Sequence, residues 1–235
     1  GIVLIERSDV ADAKMRIFNQ DGSEGGMAGN SIRCVAKYLY ENGFVRDKHL
    51  TIETLSGVRD LTLYTSGGKV GSVSVDMGKA ILSGKDIPST LEGDSVVGRK
   101  IEVGGKEYTV TLVNVGNPHC VVFCDKVDAV DLANVGPQFE YAPYFPQRIN
   151  VEFVRVVNGK TLKMRVWERG NGETLACGTG ATASVVAAVL NGYCKAGEDI
   201  TVKLRGGDLI VRYGEDGDAT LTGAVRKVYE GTVKF

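Results

Sequence analysis

A glycine-rich loop in the second half of the chain carries the residue best suited to chemistry, Cys177. The loop reads Glu168-Arg-Gly-Asn-Gly-Glu-Thr-Leu-Ala-Cys-Gly-Thr-Gly180, and an apolar segment with helical spacing follows it. The thiol therefore stands where a helix begins, near unpaired N–H groups and the positive end of the helix dipole. This position favours the thiolate and predicts a pKa below the ordinary value of about 8.5. We expect Cys177 to act as a base or nucleophile, the alternative being a buried, inert cysteine.

Backbone amides at the start of this helix predict a site for a negative group. The N–H groups of Gly178, Thr179 and Gly180 open the helix, and helix N-termini bind carboxylates and other anions. The first half of the chain has a matching loop, from Asn19 to Ser31, in which Ala28 stands where Cys177 stands in the second. The first loop therefore keeps the predicted anion site, at Gly29, Asn30 and Ser31, and lacks the thiol.

A pair of such sites facing each other would suit the inversion of a carbon that bears a hydrogen beside a carboxylate. The reaction needs a base on one face of the carbon and an acid on the other. Helix N-termini would stabilise the charge that develops when the proton leaves. This chemistry requires no cofactor. A cysteine hydrolase is less favoured, because the nucleophile needs an oriented histidine and only His119 is placed to serve.

The two loops belong to an internal repeat with a constant offset of 149 residues. Lys14-Met-Arg-Ile-Phe18 overlays Lys163-Met-Arg-Val-Trp167, and Asn42-Gly43-Phe44 overlays Asn191-Gly192-Tyr193. Each copy reads as strand, glycine-rich loop, helix and strand. The chain is therefore expected to contain two copies of one structural unit.

Hydrophobic spacing predicts two main helices and many strands. The helices cover residues 30–42 and 178–191, and the second has almost no polar face, so we expect it to be buried on nearly all sides. Alternating patterns predict strands over residues 61–64, 70–75, 108–113, 151–156 and 209–213. The expected fold class is α+β, with two pseudo-symmetric domains that each wrap a curved, mixed or antiparallel sheet around a central helix. The predicted domains are 1–77 plus 222–235, the latter as a final strand, and 78–221.

Composition excludes several classes of protein. The 28 basic and 29 acidic residues leave a formal charge of −1 with no block of like charge, which argues against nucleic acid or a membrane surface as partner. No apolar run approaches the roughly 18 residues that span a bilayer. Five cysteines, an odd number at low density, fit a reducing cytoplasm. With only two histidines a zinc site is disfavoured, and we predict no metal site.

Five motifs resemble the diaminopimelate epimerase family. They are Phe18-Asn-Gln-Asp-Gly-Ser-Glu24, Met27-Ala-Gly-Asn-Ser-Ile-Arg-Cys34, Gly116-Asn-Pro-His-Cys120, Phe145-Pro-Gln-Arg-Ile-Asn150, and the loop from Glu168 to Ala181. The resemblance implies a cytoplasmic, cofactor-independent isomerase of lysine and cell-wall precursor synthesis. Its substrate would be LL- and meso-diaminopimelate, inverted by two cysteines in a cleft between two domains. Members of the family often form homodimers.

The resemblance also implies roles for individual residues. Cys177 would be one acid/base thiol, Ala28 occupies the position of the other, and His119 and Glu168 would support the proton transfers. Substrate contacts would come from Asn19, Gly29, Asn30, Asn117, Asn150, Glu168, Arg169, Gly178 and Thr179.

Two departures from the family pattern bear on activity. The family has Cys where this chain has Ala28, and it begins with a Gly-Asn-Asp-Phe segment that lies before the first residue printed here. Because a methyl group carries no proton, we expect this chain alone to be impaired in a two-base inversion. One alternative is a non-catalytic amino-acid-binding paralogue. Another is a different racemase, such as the proline racemase type, although Asn30 stands where that group tends to carry His.

Simpler interpretations exist for several of these residues. His119 heads an apolar run and can be structural, while Asn19, Asn117 and Asn150 can serve turns or strand ends. Glu168 and Arg169 can form a surface pair. The equivalent aromatic residues Phe18 and Trp167 are expected in the core.

Overall fold

The computed structural model describes residues 1–19 and 22–234, and the chain divides into two compact units. Unit 1 comprises Gly1–Val75 and Thr222–Phe235, and unit 2 comprises Asp76–Leu221. The class is α+β, as the sequence predicted, because each unit combines a mixed sheet with a helix that packs on it.

Unit 1 is built on five sequential main strands and one helix. Its elements are β1 (Ile2–Glu6), β2 (Ala13–Phe18), β3 (Glu24–Gly25), α1 (Gly29–Glu41), β4 (His49–Thr54), β5 (Gly57–Ser66) and β6 (Lys69–Lys79), the last of which runs past Val75. The strand order is β1-β2-β4-β5-β6, with β3 paired to β2. Strands β2 and β4 are parallel and the other described pairs are antiparallel.

Helix α1 forms because its apolar residues recur on one face. That face buries Ile32, Val35, Ala36 and Leu39, and the helix packs on β4 and β5. The helix begins and ends one residue earlier than the predicted 30–42. Gly43 then turns the chain with a φ of 75°, a left-handed conformation that glycine adopts without strain.

Unit 2 contains two α-helices and a longer sheet. Its elements are β7 (Arg99–Val103), β8 (Lys106–Asn114), β9 (Pro118–Phe123), a short 3-10 turn (Val127–Ala129), α2 (Leu132–Glu140), β10 (Asn150–Asn158), β11 (Thr161–Glu168), β12 (Gly172–Thr174), α3 (Gly178–Leu190), β13 (Asp199–Leu204), β14 (Gly207–Tyr213) and β15 (Asp218–Ala224), which runs past Leu221. The order is β14-β13-β11-β10-β9-β8-β7, with β12 on β11. The pairs β9/β10 and β11/β13 are parallel.

Helix α3 is buried on nearly all sides, as its unbroken apolar sequence predicted. All residues from Gly178 to Ala188 are buried, and the helix packs against β8, β9, β10, β11, β13 and β14. Two of its three hydroxyl residues bond back to the helix: Thr182 Oγ1 donates to Gly178 O and Ser184 Oγ to Gly180 O. Those bonds satisfy polar groups that would otherwise be costly to bury.

The two units repeat the same local structure at the predicted offset. Helices α1 and α3 begin at residues 29 and 178, which are 149 apart. The parallel pairing of Ala13 with Ile52 in unit 1 corresponds to that of Leu162 with Val202 in unit 2. An arginine of β2 or β11 also binds a glutamate of the following short strand in both units, as described below. The repeat that the sequence predicted is therefore present in backbone pairing as well as in residue type.

The two predicted main helices both form, and the structure adds a shorter third helix, α2, that the sequence analysis did not predict. Its sequence contains Gly136 and Pro137, which disfavour a helix interior locally. Tertiary packing overrides that preference: a Cβ at Gly136 would lie 2.4 Å from the Trp167 ring, so only glycine permits this approach. Trp167 Nε1 also donates to Glu140 Oε2 at 2.8 Å.

Three smaller expectations also differ from the structure. The last strand begins at Asp218 and ends at Ala224, so 225–234 are not the predicted final strand, and Phe235 lies outside the described residues. Phe18 and Trp167 are half-buried rather than core residues, since each lies near the end of its strand. The predicted helix 178–191 ends at Leu190.

The five predicted strand segments all lie within observed strands. Among the described residues, no helix is long and apolar enough to cross a membrane.

Candidate active site

Cys177 is the residue that precedes the first turn of α3. Its backbone is extended, with φ −131° and ψ 115°, while its carbonyl already accepts from Ala181 N. The Gly180 N–H donates to Cys177 Sγ at 3.3 Å, so the thiol sulfur caps the helix. Thr179 Oγ1 lies 3.4 Å from the same sulfur. Three backbone N–H groups were predicted to bind a carboxylate, and that of Gly180 is instead used by the thiol. The N–H groups of Gly178 and Thr179 make no such bond to the thiol.

The predicted low pKa of Cys177 was wrong, because the surroundings of the thiol outweigh the helix terminus. Only 7% of the residue is exposed, and this burial raises the pKa of the thiol well above its usual range. The negative charges of Glu168 and Glu152 act in the same direction, while the bonds from Thr179 and Gly180 oppose them. In the ligand-free protein Cys177 is therefore a thiol, the form that donates a proton.

His119 belongs to a buried chain of hydrogen bonds. It lies on β9, is 0% exposed, and its Nδ1 is 2.7 Å from Glu152 Oε1. The other ring nitrogen, Nε2, is 2.8 Å from Asn117 Oδ1. Both ring nitrogens therefore have partners, which fixes the orientation of the imidazole. The parallel pairing of β9 with β10 produces this chain, because it brings the two buried side chains together.

Glu168 and Arg169 do not form the surface pair that the simpler interpretation allowed. The carboxyl of Glu168 accepts from the hydroxyl of Thr174, and burial raises the pKa of Glu168. Arg169 instead donates from Nη1 to Gln147 O at 3.0 Å. Its backbone N–H donates to Asn150 Oδ1 at 2.8 Å. Both side chains are half-buried.

Asn150 joins two segments of unit 2. Its Nδ2 donates to Pro118 O at 2.7 Å while its Oδ1 holds the backbone of Arg169. The side chain is 4% exposed. Asn150 therefore anchors the loop of Glu168 and Arg169 to the strand that carries His119.

A charged clamp holds the loop before α3. Arg165 on β11 donates from Nε and Nη2 to the two carboxylate oxygens of Glu173 at 2.8 and 3.1 Å. Its Nη1 donates to the carbonyls of Val127, Asp128 and Val130. Unit 1 has the same clamp between Arg16 and Glu24, at 2.8 and 2.9 Å. Bidentate pairs of this kind fix position as well as charge, so each loop approaches its helix in a defined geometry.

In unit 1 the start of α1 matches the start of α3 in backbone but not in side chain. Ala28 has φ −139° and ψ 107°, close to the values of Cys177, and makes no side-chain cap. Arg33, only 5% exposed, donates to Gly29 O at 2.9 Å and to Asn30 Oδ1 at 3.0 Å. Arg33 therefore engages the oxygen of the Asn30 amide and not its N–H groups.

Asn19 forms the turn that the simpler interpretation described. Its Nδ2 donates to Ser23 Oγ at 3.0 Å, and its carbonyl accepts from Gly22 N. Asn19 is exposed. Gln20 and Asp21 of the same motif lie outside the described residues.

The structure thus brings together His119, Asn117, Asn150, Glu168 and Cys177 within unit 2, and Gly29 with Asn30 in unit 1. Sequence reasoning missed Glu152, the buried carboxyl group that contacts His119. One signal was available, because Glu152 is a lone acidic residue in the apolar run Val151-Glu-Phe-Val154. Among the described residues, no group of three or more acidic, histidine or cysteine side chains is arranged to hold a metal ion.

Alkylation by iodoacetamide is expected to be at least about tenfold slower at Cys177 than at the exposed Cys34 at pH 7.5, because a raised pKa and burial both reduce reactive thiolate. The rate at Cys177 should continue to rise above pH 9. Peptide-resolved mass spectrometry follows both sites in one sample. Preferential labelling of Cys177 near pH 6.5 would contradict the raised pKa.

Comparison with known proteins assigns the chain to a family. The family model described as diaminopimelate epimerase matches residues 1–83 and 111–228. The diaminopimelate epimerase of Desulfitobacterium hafniense is 48% identical over 233 residues, which cover 99% of this chain and 82% of that protein. That of Pelotomaculum thermopropionicum is 49% identical over 235 residues, covering 100% of this chain and 83% of the relative.

Solved structures show the same fold at low sequence identity. A probable proline racemase from Agrobacterium radiobacter K84 is 18% identical, with a TM-score of 0.71 over 94% of this chain and 72% of the other. A predicted epimerase from Pseudomonas aeruginosa is also 18% identical, with a TM-score of 0.64 over 98% of this chain and 84% of the other. The sequence relatives are 48–49% identical to this chain, and the family model matches most of its residues. The chain therefore belongs to the diaminopimelate epimerase family.

Proposed function

We propose that this chain carries the proton-transfer chemistry of a diaminopimelate epimerase, an isomerase that interconverts LL- and meso-2,6-diaminopimelate. The observation that carries the proposal is Cys177 at the start of a buried helix, beside His119, Glu152 and Glu168, in a chain about half identical to proteins of that name. The reaction moves one proton and needs no external oxidant or reductant. Its place would be lysine and cell-wall precursor synthesis in the cytoplasm, which suits five free cysteines.

The proposed step at Cys177 is proton transfer to or from the α-carbon. When Cys177 acts as acid, its S–H bond breaks and a C–H bond forms on the carbanion. When it acts as base, the C–H bond breaks, the electron pair stays on the substrate and delocalises into its carboxylate, and S–H forms. The α-ammonium group of a bound substrate would lower the raised pKa of the thiol, because a nearby positive charge favours thiolate.

The amides of Gly178 and Thr179 would receive the negative charge of the substrate carboxylate. These groups open α3, where helix N–H groups and the helix dipole stabilise anions without reorganisation. Asn117, Asn150, Glu168 and Arg169 would bind the remaining amino-acid groups, the last two by opposite charges. Asn19, Gly29 and Asn30 are the corresponding proposals for unit 1.

A second candidate function is favoured by one residue, Ala28. Since its methyl group cannot carry a proton, the chain would lack the second acid/base group and would bind diaminopimelate without inverting it. Calorimetry and an epimerisation assay separate the two functions. Binding without any proton exchange, also after restoration of a thiol at position 28, would favour a binding protein.

Solvent hydrogen exchange tests the proposed function on the chain as it stands. In D2O we expect Cys177 to exchange the α-hydrogen of one diaminopimelate stereoisomer without inverting it, because one thiol serves one face of the carbon. NMR follows loss of the α-proton, and chiral chromatography follows configuration. Proline serves as the control substrate. Exchange of proline, or of neither diaminopimelate isomer by either this chain or A28C, would overturn the assignment.

A further inference from the structure

Glu152 is a charged residue at the centre of unit 2 to which the reaction above gives no task. It lies on β10, directly after the apolar Val151, and its side chain is 0% exposed. Its Oε2 has no hydrogen-bond partner among the described residues. Carboxyl groups are rarely buried with an oxygen unsatisfied, so a retained one requires a specific explanation.

The other oxygen of Glu152 holds His119. Glu152 Oε1 lies 2.7 Å from His119 Nδ1, the distance of a short hydrogen bond. Asn117 engages the opposite nitrogen of the ring at 2.8 Å. The imidazole is thus held from both sides, and the carboxyl group fixes the orientation of the ring through Nδ1.

Glu152 also lies against the first turn of α3. A Cβ added at Gly180 would stand 2.7 Å from Glu152 Oε1 and 3.3 Å from Cys177 Sγ. The carboxyl group and the thiol sulfur therefore border the same small space, which only the hydrogen of glycine fits. Glu152 is consequently the group that lies between the histidine and the helix start that carries Cys177.

We propose that Glu152 is a positioning residue of this site, which fixes the His119 ring through Nδ1 and places a negative charge beside the Cys177 thiol. The inference rests on the proposed function, since it assigns Glu152 to the same proton-transfer site. Two consequences follow: the charge adds to burial and to Glu168 in keeping Cys177 protonated in the free protein, and the bond to Nδ1 holds the His119 ring in one orientation.

The titratable groups around Glu152 come from three other elements. His119 faces it from β9, Glu168 from β11 and Cys177 from the start of α3, while Cys120 lies on the opposite face of β9 and senses only its charge. The negative charge of Glu152 raises the pKa of Cys120, Glu168 and Cys177 alike. Removal of this charge should therefore make Cys177 easier to ionise even as His119 loses its anionic partner.

The substitution E152Q tests the proposal, because Gln keeps the shape and an acceptor oxygen but removes the charge. Alkylation of Cys177 at pH 8 should become about three- to tenfold faster. Hydrogen exchange of diaminopimelate should become about tenfold or more slower, with kcat affected more than KM. A merely structural role would act through local unfolding and would also speed alkylation of the buried Cys194, which should stay slow in E152Q if only the charge matters.

Controls separate this effect from loss of fold and from failure of the proposed function. E107Q removes the charge of an exposed glutamate on β8 and should leave both rates unchanged. E152D keeps the charge and should restore slow alkylation. Because alkylation needs no substrate, it still tests Glu152 if diaminopimelate proves not to be the ligand. Unchanged alkylation of Cys177 in folded E152Q would overturn the proposal.

A measurement on the unmodified chain remains decisive if E152Q does not fold. With ¹⁵N-labelled histidine, the Nδ1 of His119 should carry a proton and show a shift typical of a strong hydrogen bond. His49, which lies outside unit 2, serves as the reference signal. An Nδ1 without a proton would contradict the proposed bond to Glu152.

Discussion

Replacing Ala28 by Cys is expected to raise the rate of diaminopimelate epimerisation by at least about 10³-fold, because an inversion needs acid and base on opposite faces and one positioned group contributes about 10²–10⁴. The backbone at Ala28 already matches that of Cys177, within about ten degrees in φ and ψ. A thiol at position 28 would therefore enter a helix start of the required form without rebuilding it. Coupled or chromatographic assays of LL- to meso-conversion measure the gain.

The Ala28→Ser variant is the matched control for this restoration. It adds a side chain of nearly the same size, but a hydroxyl group ionises far less readily than a thiol, so the rate should stay near that of the unmodified chain. Both variants should be tested in this chain and with the Gly-Asn-Asp-Phe segment that the family resemblance implies. An A28C protein that binds diaminopimelate and inverts none of it in either form would refute the two-thiol assignment.

Replacing Cys177 by Ala should abolish hydrogen exchange in the unmodified chain, with a loss of at least about 10³-fold, because it removes the acid/base group itself. Binding should fall much less, since the amides of Gly178 and Thr179 and the side chain of Arg169 remain. Calorimetry measures binding and NMR measures exchange. C34A, at an exposed cysteine on α1, is the control and should change neither quantity.

The double variant A28C/C177A gives this prediction a sharper form. If each thiol serves one face of the α-carbon, the double variant should exchange the hydrogen of the isomer opposite to that exchanged by the unmodified chain. Neither protein should invert configuration. Exchange of the same isomer by both would show that the two positions do not divide the faces between them.

The sequence by itself determined the repeat and the elements that carry it. An offset of 149 residues relates identical residue types, and the helices that begin at 29 and 178 follow it. Such local features are readable because helix spacing, glycine at a helix end and strand alternation depend on neighbours in the chain. The family resemblance likewise required only the order of residues in five motifs.

Helix α2 marks the limit of local reasoning about the fold. Gly136 and Pro137 argue against a helix when only their neighbours are considered. The ring of Trp167 and the carboxyl of Glu140 favour it, but Trp167 is about thirty residues away in sequence. A contact of that range leaves no periodic signal in the segment itself.

Tertiary structure alone decided the chemistry of Cys177. Its position before α3 predicted a lowered pKa, and burial together with Glu168 and Glu152 raises the pKa instead. Those carboxyl groups come from strands β11 and β10, which the sheet brings beside the helix start. Electrostatic effects act through space and strengthen where water is excluded, so the order of residues established which groups the site contains, and only the fold established how their charges act on one another.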